Sequence, residues 1–151
     1  MRRIRAATGL LAAVLFLAGC GAPPPKPVSV RGKVTKNGGP LKLKPEAGHQ
    51  VPPGETGGSI SFVHADGPNQ GQDEPGTLNP EDGTFQITGV EGKGAPPGRY
   101  KVAVRLGTFG SPDQLKDQFS RDNSKVEVTV PDAGADNLVI DLPFKEEKKK
   151  K

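Results

Sequence analysis

From Val28 onward the chain repeatedly alternates apolar and polar side chains, the period of a half-buried strand. Val28, Val30 and Val34 alternate with Ser29, Arg31 and Lys33, and Asn37-Gly38-Gly39 follows with residues that tolerate positive φ in a turn. Ile60 and Phe62 alternate within Gly58–His64. Phe85 and Ile87 do so within Thr84–Thr88, just after the turn run Asn79-Pro80-Glu81-Asp82-Gly83. In the clearest pattern, Arg99–Leu106, Tyr100, Val102, Val104 and Leu106 point one way and Arg99, Lys101 and Arg105 the other. Val126, Val128 and Val130 make a further strand, and Leu138, Ile140 and Leu142 close the set.

One helix signal interrupts these strands. Ser111-Pro112-Asp113-Gln114 offers a capping hydroxyl, Pro at the first helical position and Gln three after the Ser. With Leu115 and Phe119 on one face, it predicts a two-turn helix from Pro112 to Phe119. Strands 98–106 and 124–130 are then expected to be antiparallel neighbours with this helix in their connection, and Lys101 and Arg105 lie where they can face Glu127. The expected class is all-β, an Ig-like β-sandwich of about seven strands with one short helix; the irregular strand spacing favours a sandwich over a barrel. No alternation of β and α units supports a parallel α/β sheet.

Ahead of the strands stands a different pattern. Arg2, Arg3 and Arg5 precede an uncharged run from Ala6 to Gly19, whose 14 residues fall short of the roughly 20 that a bilayer core requires. A secretory signal fits them. The run ends in Leu17-Ala18-Gly19-Cys20, which looks like a bacterial lipobox, and Cys20 is the only cysteine. Its thiol can carry a diacylglyceryl thioether, and small residues before it suit the peptidase that cuts ahead of the modified Cys. An ordinary secretory signal would place a small residue where Leu17 stands. Gly21, rather than Asp, points away from inner-membrane retention and toward the outer membrane or cell surface. The division expected is signal peptide 1–19, lipidated Cys and Pro-rich tether 20–27, β-sandwich 28–142 and a disordered Lys-rich tail 143–151.

Composition refines this picture. Gly (21) and Pro (16) together make up about a quarter of the 151 residues, and only 32% are hydrophobic. That is near the level of disorder, but Gly and Pro crowd into 21–27, 37–58, 65–83 and 89–98 and spare the strand patterns. Net charge is +4, yet three of the arginines lie in the signal, leaving 18 basic against 17 acidic residues, or +1. Five Lys and two Glu in Lys145–Lys151 carry +3, so the body is near −2. A body of that charge has no basic footprint for nucleic acid. The Lys tail could touch anionic lipid, glycan or nucleic acid, though a solvated end is its ordinary reading.

Read in order, the pieces Val30-Arg31-Gly32-Lys33-Val34-Thr35, Gly39-Pro40-Leu41, Ser59-Ile60-Ser61-Phe62-Val63, Asp82-Gly83-Thr84-Phe85 and Gly94-Ala95-Pro96-Pro97-Gly98-Arg99-Tyr100-Lys101-Val102 carry a resemblance. With Phe119-Ser120 to Val126-Glu127-Val128, they resemble a group of small lipoproteins abundant in planctomycete bacteria. That group has a carboxypeptidase-regulatory-like (transthyretin-like) sandwich, and the resemblance covers roughly residues 28–142. It implies that Asp-Gly before Thr-Phe is a hairpin turn. Lys42 to Gly57, sixteen residues rich in Pro and Gly, departs from the group's pattern and suits either a binding loop or neutral drift.

Candidate chemistry is sparse. His49 and His64 lack paired ligand spacing, so no metal site or cofactor is expected. His64-Ala65-Asp66 reads as a solvated strand end. Ser59 and Ser61 lie in Gly-Ser-Ile-Ser, without the form of a nucleophile elbow. Asp66, Asp73, Glu74, Glu81 and Asp82 gather in sequence, but Pro68 and Thr77 break the calcium-loop pattern of the 66–77 window. No catalytic residue is expected. The protein reads as a structural or interaction module of the cell envelope, held to the membrane by the lipid on Cys20, with an envelope protein or polysaccharide as partner. The alternative is a carbohydrate-binding or accessory module. A sugar site wants exposed aromatic platforms, whereas Tyr100, Phe62 and Phe85 are placed facing inward.

Overall fold

The computed structural model describes residues 25–41, 57–107 and 111–145, and all regular structure in them is β. The strands are β1 (Val30–Lys36), β2 (Gly39–Pro40), β3 (Gly58–His64), β4 (Asp73–Leu78), β5 (Thr84–Ile87), β6 (Gly98–Leu106), β7 (Glu127–Val130) and β8 (Ala135–Leu142). They form one eight-stranded sheet in the order β2-β1-β5-β4-β3-β6-β7, with β8 added to β1. All pairings are antiparallel except that of β1 with β8. Val30 and Val34, Ile60 and Phe62, Tyr100 to Leu106 on alternate positions, Val130, Ile140 and Leu142 all enter a single apolar cluster. Strands from both ends of the sheet can share one core only if the sheet curls round it.

Local chemistry sets the turns. Asn37 (φ 51°) and Gly38 (φ 72°) are both left-handed, which matches the right-handed twist of the β1–β2 hairpin. Across from this turn, one Asp141 oxygen accepts the Gly38 N–H and the Thr35 hydroxyl, each at 2.7 Å. Gly83 (φ 76°) closes the β4–β5 turn, where Asp82 accepts the Thr84 N–H at 2.8 Å. These bonds favour the charged carboxylates. Asp141 is held below its usual range chiefly by the Gly38 N–H, then by Thr35, and Asp82 chiefly by the Thr84 N–H, then by its hydroxyl. A depressed folded pKa stabilises the fold above the unfolded value, and that stability is lost as pH falls through the folded value. Asp141→Asn should therefore flatten the stability profile below about pH 4. Urea midpoints measured down the acid limb check this; an unchanged slope would remove Asp141 from the account.

Strand β4 is absent from the sequence pattern because Pro75 and Gly76 read as loop. Both are compatible with a strand for specific reasons. Thr88 N–H and Gly89 N–H both donate to the Pro75 carbonyl at 2.9 Å, so Pro75 turns its main-chain polar groups to the side where β5 has already ended. Its missing N–H thus interrupts no regular rung. At Gly76 a Cβ would stand 2.6 Å from the Gln86 carbonyl oxygen and 2.7 Å from Ile87 Cδ1, so only glycine fits.

The helix expected over Pro112–Phe119 does not form. Asp113 turns its carboxylate back, accepting Leu106 N–H at 2.9 Å, Leu115 N–H at 3.1 Å and Asp117 N–H at 3.0 Å. Lys116 (φ 54°) and Asp117 (φ 56°) are left-handed, which ends any right-handed run. The segment becomes successive turns closed by Lys116 N–H to Asp113, Gln118 N–H to Leu115 and Ser120 N–H to Asp117. Leu115 and Phe119 still reach the core.

This turn segment joins β6 to β7, which are antiparallel neighbours with Tyr100 opposite Val128 and Lys101 opposite Glu127. Arg105 instead donates to the Ser111 carbonyl. Of residues 143–145, expected in the tail, Phe144 is buried under the Lys36 ammonium, 3.8 Å from its ring centroid, and the exposed Lys145 bonds through its main chain to Gln118. Residues 146–151 lie outside the described residues.

Candidate functional site

Cys20 and the lipobox residues Leu17, Ala18 and Gly19 lie outside the described residues, as do residues 42–56 with His49. The described chain begins at Pro25, among the residues expected as the tether. There Val28 N–H donates to the Ala95 carbonyl at 2.9 Å and Ala95 N–H returns a bond at 3.1 Å. Gly94 (φ 98°) permits this approach, since a Cβ there would stand 2.0 Å from the Val28 carbonyl oxygen. Val28, which follows the residues expected as the tether, is therefore bonded to the loop ahead of β6.

At the same end of the sheet a polar cluster sits against the core. His64, Glu74 and Tyr100 sit on adjacent strands, with His64 directly opposite Tyr100. His64 is buried, not a solvated strand end as its sequence context suggests. Its Nε2 lies 3.2 Å from Glu74 Oε1, and its ring centroid 4.6 Å from that of Tyr100. The other Glu74 oxygen accepts the Val90 N–H at 3.2 Å. The Tyr100 hydroxyl donates to the Pro96 carbonyl at 2.5 Å, and burial followed by the Glu74 charge pushes its pKa well above the usual phenol value. The phenol thus keeps its proton, and the cluster ties β3, β4 and β6 to the loop carrying Pro96. Tyr100→Phe leaves that carbonyl without its donor, and we expect a loss of about 1–2 kcal/mol in urea unfolding. An unchanged midpoint would show the bond to be energetically silent.

The acids that gather in sequence separate in space. Asp66 pairs with Arg99 at 3.0 Å and Asp73 with Arg121 at 3.1 Å, while Glu74 turns inward to His64 and Asp82 serves its own turn. Arg121 also donates to the Gly71 carbonyl, so it straps the connection between β6 and β7 across to the loop before β4. Among the described residues no three of His, Cys, Asp and Glu stand close enough to hold a metal ion. Also among the described residues, no helix is long and apolar enough to cross a membrane. The five aromatic residues described, Phe62, Phe85, Tyr100, Phe119 and Phe144, are all buried.

The buried His64–Glu74 pair is not legible in the sequence. The only signal available was the inward parity of His64 with Ile60 and Phe62. Comparison with family models, with curated proteins and with solved structures finds no match to the chain.

Proposed function

We propose that the protein is a lipid-anchored, non-catalytic structural or interaction module of the cell envelope. The observation that carries this reading is Leu17-Ala18-Gly19-Cys20 behind a basic start and an apolar run, with Cys20 the single cysteine. Seven residues, Gly21 to Pro27, separate that cysteine from Val28. At about 3.1 Å per residue for an extended Pro-rich chain, the eight steps from Cys20 to Val28 would reach roughly 25 Å, which bounds how far from the lipid surface the base of the sheet stands. Outer membrane or cell surface is the proposed location, from Gly21 after the cysteine.

For the finer fold, we read the curled sheet as a transthyretin-like, carboxypeptidase-regulatory-like sandwich of the planctomycete lipoprotein type. Support comes from Asp82-Gly83-Thr84-Phe85, which forms a turn and the start of β5, and from Gly98-Arg99-Tyr100-Lys101-Val102, which opens β6. The non-catalytic reading is supported by the mutual engagement of His64, Glu74 and Tyr100. Burial of all the described aromatics counts against the carbohydrate-binding alternative, which needs a ring face for stacking. Growth with labelled palmitate tests the anchor. Label on a detergent-partitioning mature chain supports it, and an unlabelled chain in the aqueous phase refutes it.

A further inference from the structure

Because β1 and β8 are parallel neighbours, the two ends of the domain lie at opposite poles of the sheet. The chain enters β1 at Val30, paired with Ala135, and leaves β8 at Leu142, paired with Lys36. At about 3.3 Å per residue, the poles stand roughly 20–25 Å apart. Toward the far pole, the turn segment after β6 and the chain following β8 enclose an open groove of about 610 Å³.

The groove has three features that belong together. Its apolar surface is the half-buried Val126 and the exposed Pro143, beside the buried Phe119. Around this surface stand the exposed Lys116, Lys125 and Lys145, against one acid, Asp117. The body ahead of Lys145 is near −2 overall, so this clustering of positive charge is local. Finally, the Gln118 amide already pairs with main chain at the groove: its Nε2 donates to the Lys145 carbonyl at 2.7 Å, and its Oε1 accepts the Lys145 N–H at 3.0 Å.

We propose that this groove binds an acidic peptide segment in extended form, with carboxylates on the lysines and apolar side chains against Val126 and Pro143. A sugar chain fits less well, because Phe119 presents almost no ring surface. A lipid surface fits less well too, because the groove lies toward the pole away from the tether. That last step rests on the anchored reading; the binding chemistry does not.

The test uses the full chain in neutral detergent micelles and a labelled alternating glutamate–valine peptide, followed by fluorescence anisotropy. Saturable binding that weakens with added salt is expected, since exposed charge pairs are screened. The combined variant Lys116→Glu, Lys125→Glu and Lys145→Glu should weaken it by about tenfold or more. Lys93→Glu, away from the groove, should leave it unchanged, and equal thermal midpoints will show that all variants fold. Replacing Lys148 to Lys151 with serine separates the groove from the tail. Loss of binding there, with none in the groove variant, overturns the proposal. So does equal affinity for a serine–valine peptide, or lysine-dependent binding to phosphatidylglycerol vesicles without binding to the peptide. Peptide binding retained by an unlipidated Cys20→Ser chain would leave the groove standing even if the anchor reading failed.

Discussion

A Cys20→Ser chain is expected to lose acylation and to appear either as unprocessed precursor or as soluble protein, while the parent chain remains in the detergent phase. The hydroxyl cannot form the thioether, and without the thioether the peptidase that cuts ahead of the modified residue has no substrate. The energetic consequence is large. Each buried methylene of an acyl chain contributes about 0.8 kcal/mol, and two or three chains turn a marginal association into stable anchoring. Removing them should shift partitioning by orders of magnitude. The readouts are palmitate labelling, apparent size and detergent partition, taken together. Size matters because an uncleaved precursor keeps the apolar Ala6–Gly19 run and can stay with membranes for that reason alone. A Cys20→Ser chain that was still cut before residue 20 and still membrane-bound would end the lipoprotein reading.

The largest effect on stability is expected at Val130. It is 1% exposed, faces Gly98 across the β6–β7 ladder and belongs to the central cluster. Val130→Asp places a carboxylate there with no counter-charge among its partners. A buried, uncompensated charge costs on the order of 3–5 kcal/mol, beyond the roughly 1.5–3 kcal/mol of lost apolar burial. Against a total stability of about 5–15 kcal/mol, the domain should be largely unfolded. Val128 is only half-buried against the same cluster, so Val128→Asp should cost less, about 1–3 kcal/mol. Glu127→Gln should stay within about 0.5 kcal/mol, because Glu127 is exposed and only stands opposite Lys101 in register. Circular dichroism with urea unfolding will rank the three. A folded Val130→Asp with an unchanged midpoint would show that β7 does not seal the core.

The ordering of these variants differs from what the bare pattern suggests. Val126, Val128 and Val130 look equivalent in sequence, and their shared face is visible there because side-chain direction alternates with every residue. Their depth is not visible. It depends on how far β7 has curled over the core, which is set by strands distant in the chain. Strand β4 illustrates the same division. Pro75 is tolerable because β5 happens to stop at Ile87, and Gly76 is needed because Gln86 and Ile87 crowd it. Neither circumstance is written near those residues.

The misread helix and the misread histidine share a cause. Ser111-Pro112-Asp113-Gln114 is a sound local start signal, but the Asp113 carboxylate finds the Leu106 N–H at the end of β6, and a nearby tertiary donor outbids a helical turn. His64 closes a strand pattern and is followed by polar residues, so it reads as solvated. Glu74 from β4 and the Tyr100 ring from β6 cover it instead.

What the sequence by itself determined is what depends on contiguous residues: the alternating strands, the Asn37-Gly38 and Asp82-Gly83 turns, and the Leu17-to-Cys20 motif proposed for lipidation. Those rest on backbone preference or on recognition of a short stretch of chain, and need no partner from elsewhere. Tertiary structure alone decided how the strands other than β6 and β7 adjoin, that β8 runs parallel to β1, that Val30 and Lys145 lie toward opposite poles, and that Gln118 meets Lys145 beside two further lysines. Such contacts join residues far apart in the chain, and their energies exist only once the sheet has closed around its core.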